Sequence, residues 1–195
     1  EGEKEEKVLE MLETITDRLG QIPLLFTFRT AREGGSKEIS FESYVKLLHK
    51  AADTGRIDLA DVEIFFGQEA SQQLVRQLQE KGVRVVASNH HFKGTPSKKE
   101  MLEILEVMYN SNSDILKIAV MPKSFADLLV LLDTTKEASG KYDRPLITMS
   151  MGETGFLSRI CGEFTGSALT FAAGRNASAP GQAAAGNMRN ILENI

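Results

Sequence analysis

Lys117 sits at the centre of an otherwise apolar run, Asp114-Ile115-Leu116-Lys117-Ile118-Ala119-Val120-Met121. Alternate residues of a strand share a face, so Lys117 falls with Ile115, Ala119 and Met121. Leu116, Ile118 and Val120 then form the face that packs against helices. An amine in such a place is costly unless it is paired or uncharged. A neutral lysine amine attacks a carbonyl carbon to give a Schiff base.

Four other runs share this oddity. Asp61-Val62-Glu63-Ile64-Phe65 sets Asp61 and Glu63 opposite Val62 and Ile64, and Leu24-Leu25-Phe26-Thr27-Phe28-Arg29 aligns Arg29 with Thr27 and Leu25. Val83–His90 ends with Ser88 and His90 on one face, and Pro145–Ser150 alternates Thr148 and Ser150 against Ile147 and Met149. Polar groups gathered near the C-terminal ends of several strands suit a parallel barrel, whose active site lies at that end. An iminium at Lys117 would acidify the adjacent carbon. His90, titrating near neutrality, could take that proton and return one to a leaving group. Glu63 could orient the histidine, and arginines recognise carboxylates by paired hydrogen bonds. Together these groups suit imine chemistry on a small ketone that carries a carboxylate.

The elements that must hold these groups follow from hydrophobic periodicity. Six runs read as strands, Pro23–Arg29, Leu59–Phe65, Val83–His90, Asp114–Met121, Pro145–Met151 and Ser167–Ala172, with starts 22 to 36 residues apart. That is room for a helical crossover between parallel strands. Helical spacing recurs in Val8, Leu9, Met11, Leu12, Ile15 and Leu19, in Phe41, Tyr44, Val45, Leu48 and Ala51, and in Phe125, Leu128, Leu129 and Leu132. It recurs again in Met188, Ile191, Leu192 and Ile195. Ser97-Lys98-Lys99-Glu100 reads as a capping box opening a helix with Met101, Ile104, Leu105 and Met108. The alternation predicts an α/β fold, and Gly174–Gly186 reads as a mobile loop rather than a domain boundary.

Composition narrows the function classes. The chain has 195 residues, 23 Lys and Arg against 27 Asp and Glu, and a net charge of −4. That balance argues against a nucleic-acid binder. No apolar run reaches the roughly 20 residues of a membrane span. The single cysteine, Cys161, excludes an internal disulfide and a cysteine-based metal site. Glu1 to Lys7 resembles neither a signal nor a transit peptide, so a cytoplasmic single domain is expected.

The segments carrying these residues resemble the type I 3-dehydroquinate dehydratase family. They are Pro23–Arg29 with Glu33-Gly34-Gly35, Asp61-Val62-Glu63, Ser88-Asn89-His90, Lys117–Pro122, Met149–Gly152 with Ser158-Arg159, Gly166–Phe171 and Ala177–Gln182. The resemblance implies a (β/α)8 TIM barrel, with about six of its eight strands in residues 1–195 as one partial domain. It implies a lyase that dehydrates 3-dehydroquinate to 3-dehydroshikimate in the shikimate pathway of aromatic amino acid biosynthesis. On this reading Lys117 is the Schiff-base lysine, His90 the general acid and base, and Glu63 the carboxylate that positions the histidine. Arg29 would bind the hydroxyl-bearing side of the substrate and Arg159 its carboxylate, with Ser178 and Gln182 in a loop that covers the ring. No metal or organic cofactor is implied. Family members commonly pair into dimers, and no feature of this sequence fixes the oligomeric state.

Two departures stand out. The family has an aspartate after the catalytic histidine, where this chain has His91 followed by Phe92. Adjacent strand residues point to opposite faces, so His91 is not expected to replace His90. Second, the resemblance places two more strands before Pro23, the second ending in Glu-Trp-Arg, and this chain has no Trp. A sequence that is part of a longer barrel is expected ahead of a truncated homologue. The competing readings are another Schiff-base barrel such as a class I aldolase, and an inactive dehydratase-like fragment or scaffold.

Overall fold

Alternating crossovers appear as expected, in a computed structural model that describes residues 2–195; Glu1 lies outside the described residues. In chain order the elements are α1 (Gly2–Leu19), β1 (Leu25–Phe26), α2 (Phe41–Asp53), β2 (Leu59–Glu63), α3 (Glu69–Glu80) and β3 (Arg84–His91). They continue with α4 (Lys98–Asn110), β4 (Ile115–Val120), α5 (Phe125–Lys141), β5 (Leu146–Ser150), α6 (Gly162–Thr165) and α7 (Ala185–Leu192). The chain forms two compact units, one of residues 1–88 with 111–114 and one of residues 89–110 with 115–195.

In the first unit, β1 pairs with β2 and β2 with β3, all parallel. The register sets Asp61 beside Val86 and Glu63 beside Ser88. Paired residues share a face, so the two carboxylates and Ser88 line one side of the sheet. The other side buries Val62 against α2 and α3, which contribute Leu47, Leu48, Ala51, Leu74, Val75 and Leu78. Each fully buried leucine or valine there contributes about 1.5–3 kcal/mol. Ser40 caps α2 by accepting from the Ser43 amide at 3.2 Å. Tyr44 sits edge-on to Phe66 at 5.4 Å and to Phe28 at 6.5 Å. Arg56 ties α1 to this unit through Thr16, Asp17 and Glu13.

In the second unit, β4 and β5 are parallel, with Lys117 beside Ile147 and Ala119 beside Met149. Leu116, Ile118 and Val120 are buried with Met101, Leu105 and Met108 of α4 and Leu128, Leu131 and Ala138 of α5. The capping box forms as its residues suggest. The Ser97 amide and hydroxyl donate to Glu100 Oε2 at 2.8 and 2.7 Å, and the Glu100 amide donates to Ser97 Oγ at 3.3 Å. A second box, Ser124 with Asp127, opens α5.

Several expectations need correction. The run Ser167–Ala172 forms one parallel bridge, Leu146 with Ser167, rather than a strand, so five strands are present among the described residues. Its last residues are bound instead by side chains, as described below. The helical stripe proposed for α5 is rotated: Leu128 and Leu131 are buried, whereas Phe125 and Leu129 are 58% and 50% exposed. Thr148 and Ser150 do not share the face of Lys117. Thr148 Oγ1 bonds to Thr135 of α5 at 2.7 Å, and the Ser150 amide donates to Ser158 Oγ at 2.8 Å. Helix α3 had no place in the sequence reading. Its apolar residues are too sparse among the glutamines to mark a stripe.

Candidate active site

Arg29 organises the polar face of the first unit. Its Nη2 donates to both oxygens of Asp61 at 2.9 Å, and its Nη1 to Glu63 Oε1 at 2.9 Å and Ser88 Oγ at 3.1 Å. Glu33 approaches Nη1 at 3.5 Å. Burial works to lower the guanidinium pKa, but Asp61, Glu63 and Glu33 together raise it above its ordinary value. Glu63 is held rigidly: its Oε1 also accepts from the Thr30 amide at 2.8 Å, and its Oε2 from Thr30 Oγ1 at 2.6 Å. Ser88 Oγ donates to Asp61 at 2.5 Å. Beneath them, the buried Tyr44 hydroxyl accepts from the Glu63 amide and donates to the Asp61 carbonyl. Burial pushes that phenol far above its ordinary pKa, so it stays protonated.

The chain reaches this arrangement through a tight turn after Arg29. Residues 31–33 form a short 3-10 turn, and the Gly35 amide donates back to the Thr30 carbonyl at 2.8 Å. A Cβ at Gly35 would lie 1.9 Å from the Arg29 carbonyl oxygen, so only glycine lets the backbone fold back this closely. The Glu33-Gly34-Gly35 segment thus fixes where Arg29 points.

The second unit carries Lys117, His90, Arg159, Ser178 and Gln182. Lys117 is 5% exposed, with Nζ 4.8 Å from the centroid of the Phe171 ring. His90 is half-buried at the end of β3. Arg159 lies in the short 3-10 turn Phe156–Arg159 and is 2% exposed. Its partners are neutral: Nη1 donates to the Phe171 carbonyl at 3.3 Å and lies 4.0 Å from Met149 Sδ, and Nη2 donates to the Pro180 carbonyl at 3.0 Å. Its Nε is buried without a hydrogen-bond partner. Burial lowers its pKa below the ordinary value. An arginine shielded from water and ringed by neutral oxygens is an electrostatic invitation to an anion.

The Gly-rich loop is anchored rather than loose. Ala173 exchanges backbone bonds with Ala183 and Ala185, and the Gly152 amide donates to the Pro180 carbonyl at 3.2 Å. Gly181 adopts φ of +77°, and a Cβ there would lie 2.4 Å from the Gly152 carbonyl oxygen. Ser178 and Gln182 are brought together: the Ser178 amide donates to Gln182 Oε1 at 2.8 Å, and Gln182 Nε2 donates to Ser178 Oγ at 3.1 Å.

Within the units the structure groups Arg29 with Glu63, Lys117 and Arg159 with Phe171, and Ser178 with Gln182. Asp61, set by the sequence on the face of Glu63, is a principal partner of Arg29. Thr30, Tyr44 and Phe171 were not singled out, since nothing in their local sequence marks the long-range partners they find. His91 is half-buried with Nε2 lacking a hydrogen-bond partner. Burial lowers its pKa, partly offset by Glu100. Among the described residues, no group of three His, Cys, Asp or Glu side chains is placed to hold a metal ion. No described helix is long and apolar enough to cross a membrane.

Parallel strands linked by helices, with Lys117 within β4, His90 near the end of β3 and Arg159 beyond β5, are those of a partial (β/α)8 barrel. The chain belongs to the type I 3-dehydroquinase family, whose model matches residues 1–195. It is 49% identical over 186 residues to the 3-dehydroquinate dehydratase of Bacillus velezensis, covering 95% of this chain and 74% of that protein. It is 50% identical over 188 residues to that of Syntrophotalea carbinolica, covering 96% and 74%. The structure is similar to the crystal structure of the Geobacillus kaustophilus 3-dehydroquinate dehydratase, with a TM-score of 0.94 and 39% identity over 98% of this chain and 74% of that one. It is also similar to the Clostridium difficile type I enzyme bearing covalently modified comenic acid, with a TM-score of 0.92 and 45% identity over 97% and 75% of the chains.

Proposed function

We propose that this protein is a 3-dehydroquinate dehydratase, a hydro-lyase that converts 3-dehydroquinate to 3-dehydroshikimate through an imine at Lys117. The observation that carries the reading is Arg159: a buried guanidinium with no carboxylate partner among the described residues, in the same unit as a buried strand lysine. A substrate carboxylate supplies the missing anion, and Lys117 takes the ketone. The lysine nitrogen attacks the carbonyl carbon and water leaves, giving an iminium. His90 removes the proton from the adjacent C2 and then protonates the departing hydroxyl. The iminium is the electron sink, so the reaction calls on no metal or organic cofactor.

Glu63 is the carboxylate assigned to the histidine, and its bonds to Thr30 and Arg29 support a fixed position for it. Arg29 is assigned to the hydroxyl-bearing side of the ring. Ser178 and Gln182 cover it from the loop. The same reading makes the protein a cytoplasmic enzyme of aromatic amino acid biosynthesis that acts on a small molecule.

Incubation with 3-dehydroquinate should produce the rising ultraviolet absorbance of the enone product. Borohydride added with substrate should leave a reduced adduct on the Lys117 peptide in mass spectrometry. A folded protein that gives neither enone nor adduct would overturn this assignment.

A further inference from the structure

Phe171 touches two cations at once. Its ring centroid lies 4.8 Å from Lys117 Nζ, and its main-chain carbonyl accepts from Arg159 Nη1 at 3.3 Å. Both cations are almost wholly shielded from water. The face of an aromatic ring carries partial negative charge and attracts a cation within about 6 Å of its centroid, more strongly where water is excluded. The backbone holds the ring in place from both sides. Upstream, Ser167 bridges to Leu146 of β5; downstream, Ala173 bridges to Ala184. The ring and the carbonyl therefore serve different partners, and a side-chain substitution alters one without removing the other.

We propose that Phe171 is a further catalytic residue, whose ring face stabilises the positive charge of the iminium at Lys117. The inference rests on the imine reading above. The lysine lone pair forms the C–N bond and gives a carbinolamine. Its hydroxyl takes up a proton and leaves as water, and the nitrogen of the resulting C=N bond carries the charge. Loss of the C2 proton to His90 returns electrons to that nitrogen and gives a neutral enamine. The ring thus favours the charged iminium over both neutral neighbours, the carbinolamine and the enamine, without itself moving a proton. A residue that merely packed against the lysine would act through its shape, whereas this role depends on the ring's electron density.

The test replaces Phe171 alone with phenylalanine bearing one, two and three ring fluorines, which withdraw electron density while nearly keeping the shape. The readout is the fraction of protein trapped by borohydride at fixed 3-dehydroquinate, measured by intact mass. The trapping constant should fall stepwise with each fluorine. Phe171→Leu should lower it roughly five- to thirtyfold, the range of a cation–π contact at a shielded site. Phe171→Tyr should hold it near the original value. A flat response across the fluorinated series, with adduct still formed, would overturn this role and leave the imine reading standing. No adduct in the unsubstituted protein would overturn both.

Discussion

Two arginines, Arg29 half-buried and Arg159 buried, meet the loss of water in opposite ways. Arg29 is surrounded by Asp61, Glu63 and Glu33, whose charges more than repay the loss of water. Arg159 is more deeply buried, meets only neutral oxygens and a thioether among the described residues, and has its pKa pulled down by desolvation. The difference extends beyond the arginines. In the second unit, burial also lowers the pKa of His91 and raises that of Cys161. The first unit holds its arginine by its own acids, whereas the second surrounds its arginine with neutral groups among the described residues.

The contrast can be broken in stages. The largest effect should come from Lys117→Ala, which removes the reacting nitrogen. Turnover should be lost and no borohydride adduct formed, while circular dichroism and melting stay close to those of the parent. His90→Ala should slow both dehydration and imine hydrolysis, so that the adduct accumulates to a higher fraction in mass spectra. Turnover without accumulation would contradict the assigned role. Arg159→Met should raise KM by about thirtyfold or more, because a buried charged hydrogen-bond pair is worth about 2–5 kcal/mol. The same variant should melt within a few degrees of the parent, since the charge it deletes had no acid to lose.

Asp61→Asn tests the other arginine and should show the reverse ratio. It weakens a charge-assisted contact inside a folded network, costing about 1.5–3 kcal/mol in urea unfolding, with a smaller change in KM. Equal effects of the two substitutions on stability would erase the distinction between the regions. The smallest effect concerns His91. Because burial disfavours its charged form, its pKa is lower in the folded than in the unfolded chain. Its stabilising contribution is therefore complete above an unfolded pKa of about 6.5 and is lost as pH falls through the lower folded value. His91→Gln should flatten the decline in melting temperature between about pH 6.5 and pH 5, leaving the value at pH 8 little changed.

Much of this was legible in the chain, because burying a charged residue is rare enough to show. Lys117 within Ile115–Met121, and Asp61 and Glu63 within an apolar strand, stood out for that reason, and the crossover lengths gave the alternation of strand and helix. Ser167–Ala172 misled because its apolar residues suit a strand, yet only Ser167 finds a bridging partner in β5. The helix face of α5 misled because Leu129 and Phe125 are left in solvent, so periodicity alone chose the wrong stripe. Thr30, Tyr44 and Phe171 were out of reach for another reason. Thr30 and Tyr44 meet Glu63 33 and 19 residues away, and Phe171 meets Lys117 from a segment without regular structure. Such pairings are products of topology, invisible to local pattern.

The seat of the Gly-rich loop has a consequence for how freely the protein can vary. Gly181 rests on the backbone of Gly152, and Pro180 is held through its carbonyl by Gly152 and Arg159. The loop is thus docked by main-chain atoms, which every amino acid shares. Its exposed side chains can be exchanged without unseating it, provided the two glycines stay. The side chains of the loop can therefore be rewritten residue by residue while its seat stays the same.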